Sequence, residues 1–191
     1  MEALPIDHFR ATDAILDGHF LLSSGLHSDR YLQCALVLMH PERAADLCAR
    51  LRQDYRAPIP DIIIGPAMGG ITLAYELGRA FGKPAIFVER VDGKFALRRG
   101  FSLTPGQKVM IAEDVVTTGG SVNEVIDLVT QNGAHVVAVA CLVHRSKSNP
   151  FTVPLIATMQ MEVPTWPEAS CPLCAKGLPA RKPGSRPQPG A

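Results

Sequence analysis

The chain has 191 residues, 47% of them hydrophobic and 19% charged, a balance that suits one soluble globular domain with a sizeable core. Its formal net charge of +1 gives no electrostatic case for nucleic acid or an anionic membrane as partner. The longest apolar run, residues 136–143, is far too short to span a bilayer, the opening residues lack the pattern of a secretory signal, and five cysteines without framework spacing suit a reducing cytoplasm.

In chain order, residues 5–16 are predicted helical, with Ile6, Phe9, Ile15 and Leu16 on the apolar side and Gly18 as the stop. Residues 19–22 and 31–34 around Ser23-Ser24-Gly25 predict a hairpin. Pro41 opens a helix to about Arg52, with Ala44, Ala45, Leu47, Cys48 and Leu51 facing inward and Cys48 as a small core residue. Residues 61–66 predict a buried strand, and Ala67-Met68-Gly69-Gly70 turns into a helix over residues 71–81. This unit lacks the Lys-Ser/Thr of a P-loop and the glycine pattern of a dinucleotide site, so neither a nucleotide triphosphatase nor a Rossmann dehydrogenase is supported. Its glycine pair either packs helix on sheet or holds a pyrophosphate. After a short strand at residues 85–88, the cations Arg90, Lys94, Arg98 and Arg99 fall within ten positions. They are either the solvated face of a hairpin or a mobile basic lid over an anionic leaving group.

The stretch around which the rest is organised is Val109-Met110-Ile111-Ala112-Glu113-Asp114 followed by Val115-Val116-Thr117-Thr118-Gly119-Gly120-Ser121. Four apolar residues predict a strand buried on both faces, and Ser121 with Glu124 predicts a capping box at the start of a helix. The loop then lies at the carboxyl end of the sheet, where open α/β folds bind ligands. Glycines let backbone approach an anion, and the free N–H groups and dipole of a helix start favour phosphate. A phosphate alone would not sit beside two carboxylates, so the ligand should also offer hydroxyls or a divalent metal to Glu113 and Asp114. A ribose 5-phosphate fits both demands.

Asn132-Gly133 should end that helix, and residues 136–143 predict one more buried strand, finishing at His144-Arg145-Ser146. His135 and His144, at strand ends, read as solvated or capping histidines. Strand–helix units in succession predict an α/β domain with a parallel central sheet flanked by helices and a small N-terminal hood. From Pro164 the composition changes, and residues 179–187 read as an extended Pro-rich tail. Cys171 and Cys174 have metal-ligand spacing, but a closed zinc site needs four ligands; a structural turn is the simpler reading, and completion by a second chain across a dimer axis is the other.

The ordered combination of strand, acid pair, Thr-Thr-Gly-Gly-Ser and helix resembles the 5-phosphoribosyl-1-pyrophosphate (PRPP) motif of type I phosphoribosyltransferases. Gly18-His19-Phe20, Ser23-Ser24-Gly25-Leu26-His27-Ser28, Gly65-Pro66-Ala67, Val163-Pro164 and Cys171-Pro172-Leu173-Cys174 extend the likeness, over nearly the whole chain, to the orotate phosphoribosyltransferase family. The resemblance implies a type I phosphoribosyltransferase domain over residues 1–163, a Pro-rich extension over 164–191, and a homodimer with shared active sites. It implies transfer of the phosphoribosyl group from PRPP to N1 of orotate in UMP biosynthesis, with Mg²⁺ carried mainly by PRPP. By the same resemblance Glu113 and Asp114 hold the ribose hydroxyls, Val115, Val116, Thr117, Thr118, Gly119, Gly120 and Ser121 the 5-phosphate, and Met68 and Gly69 the pyrophosphate side of PRPP. Thr117, Arg145, Tyr31 and Leu32 match positions at orotate, and Arg90 matches a cation supplied to the pyrophosphate across the dimer interface. Asp114, Arg90 and the loop cations Lys94, Arg98 and Arg99 are the catalytic candidates. The chain departs from the family pattern in having Ser23 and Gly69 where lysines are usual, and a shorter cationic loop. A purine or uracil phosphoribosyltransferase, or a PRPP-sensing regulator without turnover, would share the central motif.

Overall fold

The computed structural model describes residues 4–22 and 24–183. In chain order the first half holds α1 (Pro5–Arg10), β1 (Ile15–Leu21), β2 (His27–Leu32), α2 (Cys34–Leu38), α3 (Pro41–Asp54), β3 (Ile62–Pro66) and α4 (Gly69–Phe81). The second half holds β4 (Ala85–Val91), β5 (Lys94–Ala96), β6 (Lys108–Val116), α5 (Gly120–Gln131), β7 (His135–His144), β8 (Leu155–Gln160) and β9 (Thr165–Trp166), followed by a 3-10 turn at Glu168–Ser170.

Alternation along the central strands explains the layering. Ile63, Met110, Ala138 and Leu142 pack with Leu73 and Leu77 of α4 and Leu47 and Leu51 of α3. Their neighbours Ile64, Val109, Ile111 and Val139 pack on the other face with Val122, Val125 and Val129 of α5. Each such side chain fully removed from water contributes about 1.5–3 kcal/mol, which is why both faces of the sheet are covered by helices.

The six-stranded sheet runs β5-β4-β3-β6-β7-β8, parallel throughout except for the antiparallel β4–β5 pair. From β3 the chain winds through α4 to β4 on one side; from β6 it winds through α5 to β7 on the other. The carboxyl ends of β3 and β6 therefore flank the point where the winding reverses, and the loops leaving them open a crevice there. The hood is a separate antiparallel sheet, β1-β2-β9.

Several expectations need correction. The first helix stops at Arg10, and Asp13 takes a left-handed turn (φ 51°). Ile15 and Leu16 belong instead to β1, opposite Leu32 and Tyr31, because pairing into the hood buries them better than one more helical turn. Cys34, placed in the hairpin by sequence, opens α2. The hairpin turn at Ser23 lies outside the described residues. The cationic stretch is a hairpin extending the sheet edge, turned at Asp92-Gly93 with φ of 49° and 82°, as a two-residue turn requires. Beyond Pro164 the chain is not free: Thr165 and Trp166 pair with Ser28 and His27, and Arg181 exchanges backbone hydrogen bonds with His19 and Leu21. Residues 184–187 of the expected tail lie outside the described residues. The edge strand β8 had no counterpart in the sequence reading.

Candidate active site

Strand β6 delivers Glu113 and Asp114 to the mouth of the crevice. Burial first, and then the charge and hydrogen bond of the neighbouring Asp114, push the Glu113 carboxyl up to about 9. Burial also raises Asp114, against the lowering effect of its hydrogen bonds with Glu113 and with the Val115 N–H, which donates to Asp114 Oδ1 at 2.9 Å. Glu113 Oε2 is buried without a hydrogen-bond partner. A pair of acids in this state holds a proton when alone and accepts hydroxyl donors or a cation when these arrive. Gly69 makes the arrangement possible, since a Cβ there would stand 2.8 Å from the Asp114 carboxyl atoms.

Beyond the acids, Gly119 adopts φ 79° as the N-cap of α5, with no side-chain cap. The expected Ser121–Glu124 capping box is absent. The helix begins at Gly120, so Ser121 lies inside its first turn and cannot cap it, and Glu124 is left to take both terminal nitrogens of Arg90, at 2.8 and 3.0 Å, in a bidentate ion pair. The first intrahelical bond runs from Asn123 N–H to Gly119 C=O, so the N–H groups of Gly120, Ser121 and Val122 have no helical partner. These residues line a cup of about 340 Å³ that also includes Glu113, Thr117 and Thr118. Its walls are N–H groups, hydroxyls and a helix start, the donor set of an anion site.

Two further cavities lie nearby, the larger sharing a wall with the cup and the smaller sharing one with the larger. One, of about 550 Å³, lies between Tyr31, Gln33, Met39, Met68, Gly69 and Asp114. The other, of about 770 Å³, lies between Leu26, Tyr31, Thr117, Thr118, Arg145 and Val163. Thr117 and Thr118 separate it from the cup, and Tyr31 separates the two larger cavities. The Tyr31 hydroxyl titrates above its usual range through burial and the nearby Asp114 charge. Arg145, whose N–H donates to Val116 C=O at 2.8 Å, keeps its guanidinium Nε buried and unpartnered, and desolvation lowers its pKa.

The sequence-derived candidates thus divide. The acids, the loop residues 115–121, Met68, Gly69, Tyr31, Thr117 and Arg145 meet around one crevice. Leu32 is buried in the core and lines none of the three cavities. Arg90 stands at the rim of the cup through Glu124, stacked 4.1 Å over the Phe95 ring and donating to Gly93 C=O. Arg98 and Arg99 are drawn away by Glu89, at 3.4 and 3.1 Å, and Lys94 lies exposed on β5; none of the three lines a cavity of the crevice. His144, expected to be solvated, is buried with Nε2 unpartnered, because β7 continues to that residue between β6 and β8. Gln33 and Thr72 also line the crevice and carry no sequence signal of a site, while Val163, quoted only within the Val163-Pro164 likeness, lines the largest of the three cavities.

Residues 37–169 match the phosphoribosyl transferase domain, the class that a doubly wound sheet with an acid pair and an anion cup at its switch point defines. An orotate phosphoribosyltransferase of Heliobacterium modesticaldum is 54% identical over 184 residues, 95% of this chain and 96% of the relative. One of Desulforamulus reducens is 51% identical over 95% of both chains. The crystal structure of orotate phosphoribosyltransferase from Aeropyrum pernix superimposes with a TM-score of 0.63 at 25% identity, covering 81% of this chain and 92% of that one. The chain belongs to the orotate phosphoribosyltransferase family, a family of pentosyltransferases.

Proposed function

We propose that this chain transfers the 5-phosphoribosyl group of PRPP to N1 of orotate, giving orotidine 5′-monophosphate and pyrophosphate on the way to UMP. The observation that carries the reading is the shared wall at Thr117 and Thr118, with an anion cup on one side and the half-buried Arg145 guanidinium, its Nε unpartnered, on the other. The 5-phosphate occupies the cup, and the ribose diol donates to Glu113 and Asp114. The base enters the cavity at Tyr31, where Arg145 pairs with the orotate carboxylate in a charge-assisted bond. Pyrophosphate then lies toward Met68 and Gly69.

The reacting sugar passes through an oxocarbenium-like state as pyrophosphate leaves, so the protein acts mainly by positioning and by preorganised charge. Orotate N1 can arrive ionised, and no general base is required of the chain. The partnerless Glu113 oxygen beside Asp114 fits hydroxyls or a divalent cation, and Glu113 and Asp114 are the residues that would face Mg²⁺ arriving with PRPP. When bound, the ion neutralises charge on the leaving group.

A homodimer with shared sites accounts for two further observations. Met39, Met68 and Tyr75 are 66%, 82% and 71% exposed, Met39 and Met68 beside the second cavity and Tyr75 one helical turn beyond Thr72, which lines it. Arg90 and Lys94 sit on a sheet-edge hairpin and Arg98 and Arg99 just beyond it; Lys94, Arg98 and Arg99 line no cavity of their own crevice, and from there the cations can serve a partner's pyrophosphate once Glu89 releases the two arginines. For location, no described helix is long and apolar enough to cross a membrane.

The deciding measurement is pyrophosphate release from PRPP with orotate, adenine, hypoxanthine, xanthine or uracil as acceptor. Turnover is expected with orotate; turnover with another base instead, or PRPP binding without turnover, overturns the reading. Arg145→Ala should raise KM for orotate about 100-fold, the worth of a buried charge-assisted pair, and KM for PRPP far less.

A further inference from the structure

Away from the crevice, the hood and the C-terminal segment enclose a second cluster of reactive side chains. His19 stands on β1 and His27 on β2, while Cys171 and Cys174 follow the 3-10 turn. His19 Nε2 lies 2.7 Å from His27 Nδ1, 3.5 Å from Cys171 Sγ and 3.7 Å from Cys174 Sγ; Cys174 Sγ lies 3.2 Å from His27 Nδ1. All four ligand atoms fall within 4.8 Å of one another, and His19, His27 and Cys171 are buried.

The tautomer is set from outside the cluster. His19 Nδ1 is 2.7 Å from the Leu178 carbonyl oxygen, which can only accept, so Nδ1 carries the proton and the Nε2 lone pair points at the other three residues. A tetrahedral zinc with bonds of about 2.3 Å to sulfur and about 2.05 Å to nitrogen places sulfur and nitrogen about 3.5 Å apart. Three of the four sulfur–nitrogen distances, 3.2, 3.5 and 3.7 Å, bracket that value, and the fourth is within 4.8 Å. The two nitrogens, at 2.7 Å, are closer than the roughly 3.3 Å such an ion sets, a gap opened by a small rotation of one imidazole. Without an ion, thiols and imidazoles in this enclosed space satisfy one another poorly, since a thiol is a weak donor and a weak acceptor.

We propose that His19, His27, Cys171 and Cys174 of a single chain form a closed structural zinc site that fastens the hood to the C-terminal segment. Two sulfurs and two imidazoles are the donor set of a tetrahedral Zn²⁺, and four protein ligands leave no open position for chemistry. On binding, both thiols release their protons to solvent, and the two thiolates neutralise the ion. Cys171 and His19 are 152 positions apart, and the ion would close that span. The junction is already stitched by the β2–β9 pairing of His27 with Trp166, by the Arg181 backbone bonds to β1, and by Ser28 Oγ donating to Pro164 C=O at 2.8 Å. Because β2 also carries Tyr31 into both larger cavities, the ion steadies the base-side wall of the crevice.

The test is metal analysis of the full chain, purified without an affinity tag under reducing conditions. About one zinc per chain is expected, falling below roughly a tenth in a Cys171→Ser, Cys174→Ser double variant. Cobalt exchanged into the site should give a thiolate-to-cobalt charge-transfer band and the visible spectrum of a tetrahedral ion. His27→Cys, which keeps four ligands, should retain binding and shift that spectrum, so the outcome does not hang on whether the double variant folds. Removing the metal should lower Tm by about 10 °C. The proposal is overturned by absence of zinc both as purified and after equilibration with zinc, by undiminished zinc in the double variant, by iron in its place, or by a Cys171–Cys174 disulfide. None of these readouts uses PRPP or orotate, so the zinc site and the transferase reading stand or fall separately.

Discussion

Two strand–loop–helix units lie side by side in the sheet, β3 into α4 and β6 into α5, and their glycines have opposite duties. In the first, a Cβ on Gly65 would stand 2.1 Å from Gly70 O, and one on Gly70 would stand 2.5 Å from Ala112 O. Backbone lies against backbone there, drawing α4 onto the strands and Gly69 onto the Asp114 carboxyl. In the second, a Cβ on Gly120 would meet nothing within 4 Å, whereas Gly119 both takes a left-handed φ and lies where a Cβ would stand 2.6 Å from the Phe151 ring. The first loop is a packed support; the second is held open at a helix start. Gly70 and Gly120, the second glycines of pairs at equivalent places, therefore signify packing in one unit and ligand access in the other, and what a Cβ would touch tells them apart.

The largest expected effect comes from closing the packed loop. Gly65→Ala should cost about 3 kcal/mol or more in urea unfolding, with the m-value unchanged, because the obstruction is backbone and cannot rotate away. A loss under about 1 kcal/mol would show that α4 yields and would remove the packing half of the comparison. Next comes Asp114→Asn, which keeps the hydrogen bond from Val115 N–H through its carbonyl oxygen and removes the charge. It should lower kcat/KM for PRPP about 100-fold with stability changed by less than about 1 kcal/mol. An unfolded variant with normal activity per folded molecule would contradict a ligand role. Gly120→Ala sharpens the other half: stability should hold or rise by up to about 1 kcal/mol, since alanine favours the helix, while the methyl group enters the cup and raises KM for PRPP about 10-fold. An unchanged KM would move the phosphate elsewhere.

What the sequence disclosed follows from how far apart the cooperating residues are. The strand, the acids, the small loop and the helix of the central unit are contiguous, so their chemistry could be read from one stretch, and with it the family. The Ser121–Glu124 capping box failed because the helix starts earlier, at Gly120 with Gly119 as its N-cap, and the partner Glu124 takes instead, Arg90, is 34 positions away. The helix over 5–16 failed because strand pairing with β2, a non-local contact, overrides the local preference of Ile15 and Leu16. Cationic character at Arg98 and Arg99 was legible, but its capture by Glu89 was not. Cys171 and Cys174 read as half a metal site because the other half stands in a hairpin at the opposite end of the chain. His19, His27 and Ser28, noted only as part of an N-terminal signature, are the residues that tie that hairpin to the C-terminal segment.

The smallest effect probes the acid pair itself through pH. Glu113 has a folded value near 9 against 4.5 for the unreacted side chain, mainly through burial and then through Asp114. Below about pH 4.5 both folded and unfolded chains hold the proton and the group adds no pH dependence. As pH rises from there toward 9, the unfolded chain releases the proton while the folded chain keeps it, so this group's contribution to stability falls across the window and levels off above it. Glu113→Gln deletes the titration, and the ligand-free variant should gain on the parent in Tm by a few degrees between pH 5 and pH 9. PRPP binding, which needs the carboxylate free to accept the diol, should release protons near neutral pH in the parent and fewer in the variant, seen as a binding enthalpy that changes with buffer. Parallel Tm curves for the two proteins would mean that Glu113 is already ionised in the empty crevice, and that the open loop of the comparison is prepared for its ligand at no cost in proton affinity.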